Sequence, residues 1–175
     1  MSWKINHERL QKAIDRLLSL AQISEPPVPI ERIAQLRGIQ VRCVPYEGSL
    51  AGLLLWEGGQ AVIGINALHD TFQQRFAIAH ELAHIELRHY TNIHIDRTFP
   101  FPLRSQHTAL KIDPIEFEAS IVASELLMPA AMLDADLKET PLDYLDETFV
   151  RSLAQRYQVG AHTLLLRISG GLSTI

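Results

Sequence analysis

A single cysteine, Cys43, occurs in the 175 residues, so no intrachain disulfide can form and a cross-linked scaffold is excluded. Within the run IQVRCVP it reads as a small core residue of a strand, not as a nucleophile. Such sparing use of cysteine fits a reducing compartment, and the expected localisation is cytoplasmic. No apolar run reaches 18 residues and no apolar core follows a charged start, so neither a membrane span nor a signal peptide is expected. Positive charge is not in surplus either. Lys and Arg number 16 against 20 Asp and Glu, and the formal net charge of −4 lacks the electrostatic footprint of a nucleic-acid or anionic-membrane binder. Repeats and low-complexity segments are also missing. What remains is 47% hydrophobic and 21% charged, the composition of a globular domain with a sizeable core. The length suits one domain, or one with a small appendage.

Residues 7–22 carry Leu10, Ala13, Ile14, Leu17, Leu18 and Ala21 at helical spacing and predict an amphipathic helix. Glu25-Pro26-Pro27-Val28-Pro29 breaks it as a stiff connector. A short helix over about 30–37 follows, with Gly38 placed as its C′ residue. Three strand candidates come next, at 39–45, 50–56 and 60–66, the last two joined by the tight turn Glu57-Gly58-Gly59. A long helix starts at Asp70 or Thr71, each with a Gln three residues on as a capping box requires, and runs to about His89. Residues 91–112 contain Pro100, Pro102 and no clear period, and read as an irregular loop that borders a cleft. Asp113-Pro114 is a strong helix start, and Pro129 stops that helix. A further helix over roughly 142–157, a turn at Val159-Gly160-Ala161 and a last helix from His162 to Ile168 complete the chain. With only Arg151, Arg156 and Arg167 nearby, this pair reads as a packing or protein-docking unit, not as a DNA-binding helix-turn-helix. The expected fold class is α+β, with a small antiparallel sheet packed against helices. The expected division is a main domain over 1–135 and a helical, helix-turn-helix-like subdomain over 136–175.

The chemistry concentrates in RFAIAHELAHIELRHY, residues 75–90, which contains His80-Glu81-Leu82-Ala83-His84. On a helix, His80 and His84 lie one turn apart on one face, so both imidazoles can reach one cation. Apolar residues surround them, from Phe72, Phe76, Ile78 and Ala79 to Leu82, Ala83, Ile85 and Leu87. Two histidines and a glutamate in a buried helix are costly unless something satisfies them, and a metal with its water would satisfy all three. Two neutral imidazole nitrogens suit Zn²⁺, and Glu81 suits the general base of a hydrolase. Catalytic zinc takes a third protein ligand. The helix opened by Asp113 offers Glu116, Glu118 and Glu125. Spacing gives Glu116 and Glu118 similar standing, since both border its apolar face, and Glu116 has a competing role in a capping box. Glu125 reads as a second-layer or surface residue. His89, Tyr90, His94 and His107 are near enough in sequence to be considered as oxyanion donors, but His89 is about 140° off the ligand face and each His reads better as a surface residue.

The segment RFAIAHELAHIELRH is similar to the A-H-E-x-x-H signature of the ImmA/IrrE family of zinc metallopeptidases. Glu116 to Pro129, EFEASIVASELLMP, resembles that family's second signature, with Ser120 in place of the usual Asn and Val122 in place of the usual Phe. PVPIERIAQLRGIQV and LAQRYQVGAHTLLLRI resemble its entry and its C-terminal helical pair, with Gly160 where Ser is common. The resemblance implies a zincin-like fold and a metallo-endopeptidase with Glu81 as catalytic base. It implies that His80, His84 and Glu116 are the ligands of Zn²⁺. It also implies a protein substrate, a helix-turn-helix repressor or antitoxin-type partner. The alternative expectation is a non-catalytic zinc-containing module that docks on a DNA-binding partner; a carboxylate at position 81 argues against it, because a purely structural site has no use for one.

Overall fold

In the computed structural model, which describes residues 4–47, 50–89, 93–96, 113–138 and 146–170, the first amphipathic pattern forms α1 (His7–Ala21) with Leu10, Ala13, Ile14, Leu17 and Ala21 buried. The Asn6 side chain caps it by accepting from the Arg9 backbone N–H. After the proline-rich connector, α2 (Ile30–Leu36) leads into β1 (Gln40–Val44), β2 (Gly52–Glu57) and β3 (Gln60–Asn66). Cys43 is exposed and not the core residue that the sequence suggested, because β1 is exposed along most of its length. Gly58 and Gly59 both have positive φ, 59° and 84°, as the two central residues of a type I′ hairpin between β2 and β3 demand. The remaining elements are α3 (Thr71–Glu86), β4 (Ile93–Asp96), α4 (Pro114–Leu127), α5 (Ala130–Leu137), α6 (Glu147–Tyr157) and α7 (Ala161–Ile168).

The fold is α+β, and its sheet is mixed where the sequence suggested an antiparallel one. Its order is β1-β3-β2-β4; β2 is antiparallel to both neighbours, but β1 runs parallel to β3. Three strands in a row with short links look like a meander. Here the link from β1 to β2 crosses the end of β3, and Asn66 holds that crossing. Its Oδ1 accepts from the backbone N–H of Tyr46 (3.1 Å) and Leu68 (3.0 Å), and its Nδ2 donates to the carbonyls of Tyr46 (3.1 Å) and Leu50 (2.9 Å). A buried Asn with all four bonds made is a strong local constraint.

α3 starts where expected: Asp70 accepts from the Gln73 N–H at 2.8 Å while Gln73 Oε1 accepts from the Asp70 N–H at 3.1 Å, a complete capping box. It ends three residues before His89, because Arg88 takes a left-handed φ of 55°. The Arg88 N–H then donates to Ile85 O at 3.1 Å and the His89 N–H donates to His84 O at 2.9 Å, a Schellman closure. Three further differences concern the later chain. Strand β4 lies within the segment read as an irregular loop, and the rest of that segment, up to residue 112, is outside the described residues. Helix α5 begins straight after Pro129, whose fixed φ suits a helix start as well as a stop. The described part of the next helix, α6, begins at Glu147, behind the N-cap Asp146, and residues 139–145 lie outside the described set.

α3 is buried from Arg75 to His84 and packs most extensively on α4, itself buried from Glu118 to Leu127. Arg75 anchors three segments to α3: Nη2 donates to Val28 O (2.7 Å), Nε to Gln158 O (3.3 Å), and Nη1 pairs with Glu31 (3.3 Å). Lower down, Tyr157 Oη donates to Asp136 Oδ2 at 2.8 Å, and burial followed by that carboxylate pushes the phenol well above its ordinary value. Replacing Asn66 by Asp, which sets a carboxylate oxygen against two carbonyls, should lower stability by on the order of 3 kcal/mol, read as a shift in the urea midpoint at unchanged m value.

Candidate metal centre

The four-residue spacing on α3 brings the two imidazoles together: His80 Nε2 and His84 Nε2 are 3.0 Å apart, and both side chains are buried. α4 supplies the third group. Glu116 Oε2 lies 3.1 Å from His80 Nε2, and Oε1 lies 3.5 Å from His84 Nε2. A tetrahedral ion with ligand bonds near 2.05 Å separates its ligand atoms by about 3.4 Å, so these edges match the spacing that such an ion requires. Among the described residues, this is the one group of three His, Cys, Asp or Glu with donor atoms close enough to hold a metal ion. Two nitrogens and one carboxylate oxygen are a donor set that suits Zn²⁺. The side chains of His80 and His84 are 1% and 0% exposed while that of Glu116 is 23% exposed, so the cluster opens to solvent on the α4 side. Burial works to raise the Glu116 pKa, but the adjoining imidazoles of His80 and His84 outweigh it and hold the carboxyl far below its ordinary value. It is therefore ionised at neutral pH, as a ligand must be.

Glu81 points differently from its neighbours. Its carboxylate is buried against β2, where a Cβ added at Gly52 would stand 2.9 Å from Glu81 Oε1. Position 52 is thus glycine because the carboxylate occupies the space a side chain would take. No periodicity in LAGLLLW marks that glycine; only the packing of α3 on β2 reveals it.

A second supporting group is Ser120, the position where the second signature usually has Asn. Ser120, fully buried, donates to Glu116 O at 2.8 Å, and its Oγ lies 3.5 Å from His80 Nδ1. With the proton assigned to Nδ1, His80 donates to Ser120 and presents the lone pair of Nε2 to the cluster. Phe76, one turn earlier on α3, stacks beside the same ring with centroids 6.3 Å apart.

The competing acids are engaged elsewhere. Glu118 Oε2 pairs with His89 Nε2 (3.2 Å) and Arg9 Nη1 (3.4 Å), and burial raises its pKa against the pull of Arg9. Arg9 Nη2 also donates to Leu87 O, tying α1 to the end of α3. His89 is not a surface residue: the Schellman turn folds it inward, its side chain is 5% exposed, and its ring lies 5.6 Å from that of His84. Burial, with His84 and Arg9 close by, pushes its imidazole down to about 4, so it is neutral and donates to Glu118. Glu125 is not at the surface either; it forms a buried pair with Arg167 of α7 at 2.7 Å. Tyr90, His107 and the side chain of His94 lie outside the described residues.

Comparison with known proteins adds two findings. The family model of the IrrE N-terminal-like domain, Peptidase_M78, matches residues 34–169. Among solved structures, a Mycobacterium tuberculosis transcriptional regulator is similar in fold, with a TM-score of 0.58 at 17% identity over 93% of this chain. The chain spans 46% of that protein's length. Among curated proteins, none matches the sequence.

Removing the oxygen behind His80 tests the cluster without touching His80, His84 or Glu116. Ser120→Ala should weaken metal binding about 10- to 100-fold in a chelator-competition titration while leaving thermal stability nearly unchanged.

Proposed function

This chain belongs to the Peptidase_M78 family of IrrE N-terminal-like domains, and from that premise we propose that it is a zinc-dependent metallo-endopeptidase. Its substrate is a protein, and the class we infer is a helix-turn-helix repressor or antitoxin-type regulator. No helix among the described residues is long and apolar enough to cross a membrane. The observation that carries the reading is the convergence of His80 Nε2, His84 Nε2 and Glu116 Oε within 3.0–3.5 Å, with Glu81 next in sequence and buried against β2.

His80, His84 and Glu116 would hold the ion and leave a position open toward the solvent side of Glu116. When bound, the ion supplies Lewis-acid polarisation of the scissile carbonyl and makes water acidic enough to lose a proton near neutral pH. Glu81 accepts the proton of the attacking water at its carboxylate. It then delivers that proton to the amine as the C–N bond breaks, leaving one new carboxyl and one new amino terminus. Gly52 keeps the carboxylate in place by leaving it room. Ser120 keeps His80 in the tautomer that ligation needs.

The sheet offers a means of holding the polypeptide. Among the described residues β4 lies at the edge of the sheet next to β2, with Gly52 paired to Asp96, so an extended segment laid along β4 would lie two strand spacings, about 10 Å, from the strand that carries Gly52. Main-chain bonds of that kind fix a backbone without reading its side chains.

Purified protein should hold one zinc per chain, and His84→Ala should lose it. Glu81→Gln should keep the metal while cleavage of a co-expressed neighbouring repressor falls by on the order of 10²- to 10⁴-fold. Gly52→Ala should fold and bind metal yet lose most turnover, because the added methyl displaces the Glu81 carboxylate. Full cleavage by Glu81→Gln would remove the assignment of that residue as base.

A further inference from the structure

Four residues of α3 fall on one stripe at four-residue intervals: Phe72, Phe76, His80 and His84. The second half of the stripe is the metal cluster. Against the first half the N-terminal turn of α7 leaves a cavity of about 280 Å³, lined by Phe72, Gln73 and Phe76 from α3 and by Gly160, His162 and Thr163. Phe76 belongs to both regions, since its ring lines the cavity and stacks on the His80 imidazole, 6.3 Å away at 28°.

We propose that this cavity is a specificity pocket that accepts one large apolar side chain, aromatic or long aliphatic, of the polypeptide cut at the metal cluster; the inference rests on the peptidase reading above. The size fits one side chain, being just below the roughly 300–1,000 Å³ of ordinary small-molecule sites. The lining includes Phe72 and Phe76, and its one acid is Asp70, whose carboxylate is already bonded to the Gln73 backbone as the cap of α3. A Lys or Glu side chain would find no buried partner there and would lose its hydration, whereas an apolar one is rewarded for leaving water. Distance fixes the position it reads. Phe72 precedes His80 by two turns, about 12 Å along the axis. An extended peptide advances about 3.4 Å per residue, so the side chain entering between Phe72 and Phe76 sits two or three residues from the scissile bond.

The test has two arms on the full chain loaded with zinc. In the first, ¹⁵N-labelled protein is titrated with N-acetyl-phenylalanine amide, N-acetyl-alanine amide and N-acetyl-lysine amide. The phenylalanine compound should give saturable shifts at Phe72, Phe76 and residues 160–163, at least about 10-fold tighter than the other two. His162→Trp, which fills the mouth from an exposed position, and Phe72→Ala, which removes a wall, should each abolish the preference. In the second arm, a peptide mixture is digested. Wild type should favour large apolar residues at one position two or three from the cut by about 10- to 100-fold, and His162→Trp should shift that position alone toward small residues. Cleavage with no apolar preference and no shifts at these amides would overturn the pocket and leave the peptidase standing. Shifts at these amides with no cleavage of any peptide would support the apolar pocket and sink the peptidase reading instead.

Discussion

The contact on which the molecule depends is the packing of α3 against α4, which drives a carboxylate from one helix into the space between two imidazoles on the other. Both helices are buried over most of their length, so the cluster forms inside the core and not on a loop. Buried polar groups are tolerated only when they satisfy each other or an ion. His80, His84 and Glu116 have a spacing that an ion would complete, and the small side chains Ala79 and Ala83 of α3 and Ala119 and Ala123 of α4 are all buried beside them in sequence. A site built this way is held by the whole core, and its geometry is as rigid as the packing around it.

Around that contact the chain places a layer of groups that never touch the cluster's open side. The Schellman closure of α3 sends His89 back toward Glu118, and Arg9 joins them from α1. This ties the first helix of the chain to the pair that carries the cluster. Arg75 does the same at the other end, reaching the connector at Val28 and the α6–α7 turn at Gln158. Arg167 and Glu125 fasten α7 to α4. Arg75, Glu118, Glu125 and Arg167 are buried and each has a partner, which is how a core can carry them without being unfolded by their desolvation.

The sheet contributes differently. β3 is its buried centre, and β2 presents to α3 a glycine against which the Glu81 carboxylate rests. The geometry of the His80, His84 and Glu116 cluster therefore comes from helix–helix packing. The placement of the Glu81 carboxylate comes from helix–sheet packing. A carboxylate one residue from a ligand points about 100° away from it on a helix, so it needs a separate surface to lean on, and Gly52 provides it.

Much of this was legible in one dimension because helices and hairpins are set by neighbours in the chain. His80 and His84 share a face by the helical repeat alone, the helix start is narrowed by spacing to the neighbouring pairs Asp70/Gln73 and Thr71/Gln74, and Gly58-Gly59 can close only a tight turn. The features that were not legible all involve contacts distant in sequence. The parallel pairing of β1 with β3 depends on a chain crossing pinned by Asn66, and β4 is too short for a periodic pattern to show. Glu116 and Glu118 are two residues apart and equal on any propensity scale. The sequence by itself determined which helix carries the imidazoles and the neighbouring carboxylate, because a repeat of about 3.6 residues leaves no other arrangement. Only the tertiary structure showed which acid the packing sets beside the imidazoles, the one the family resemblance pointed to and spacing left open, and why position 52 has no side chain, because those outcomes follow from how two helices and a sheet fill one shared volume.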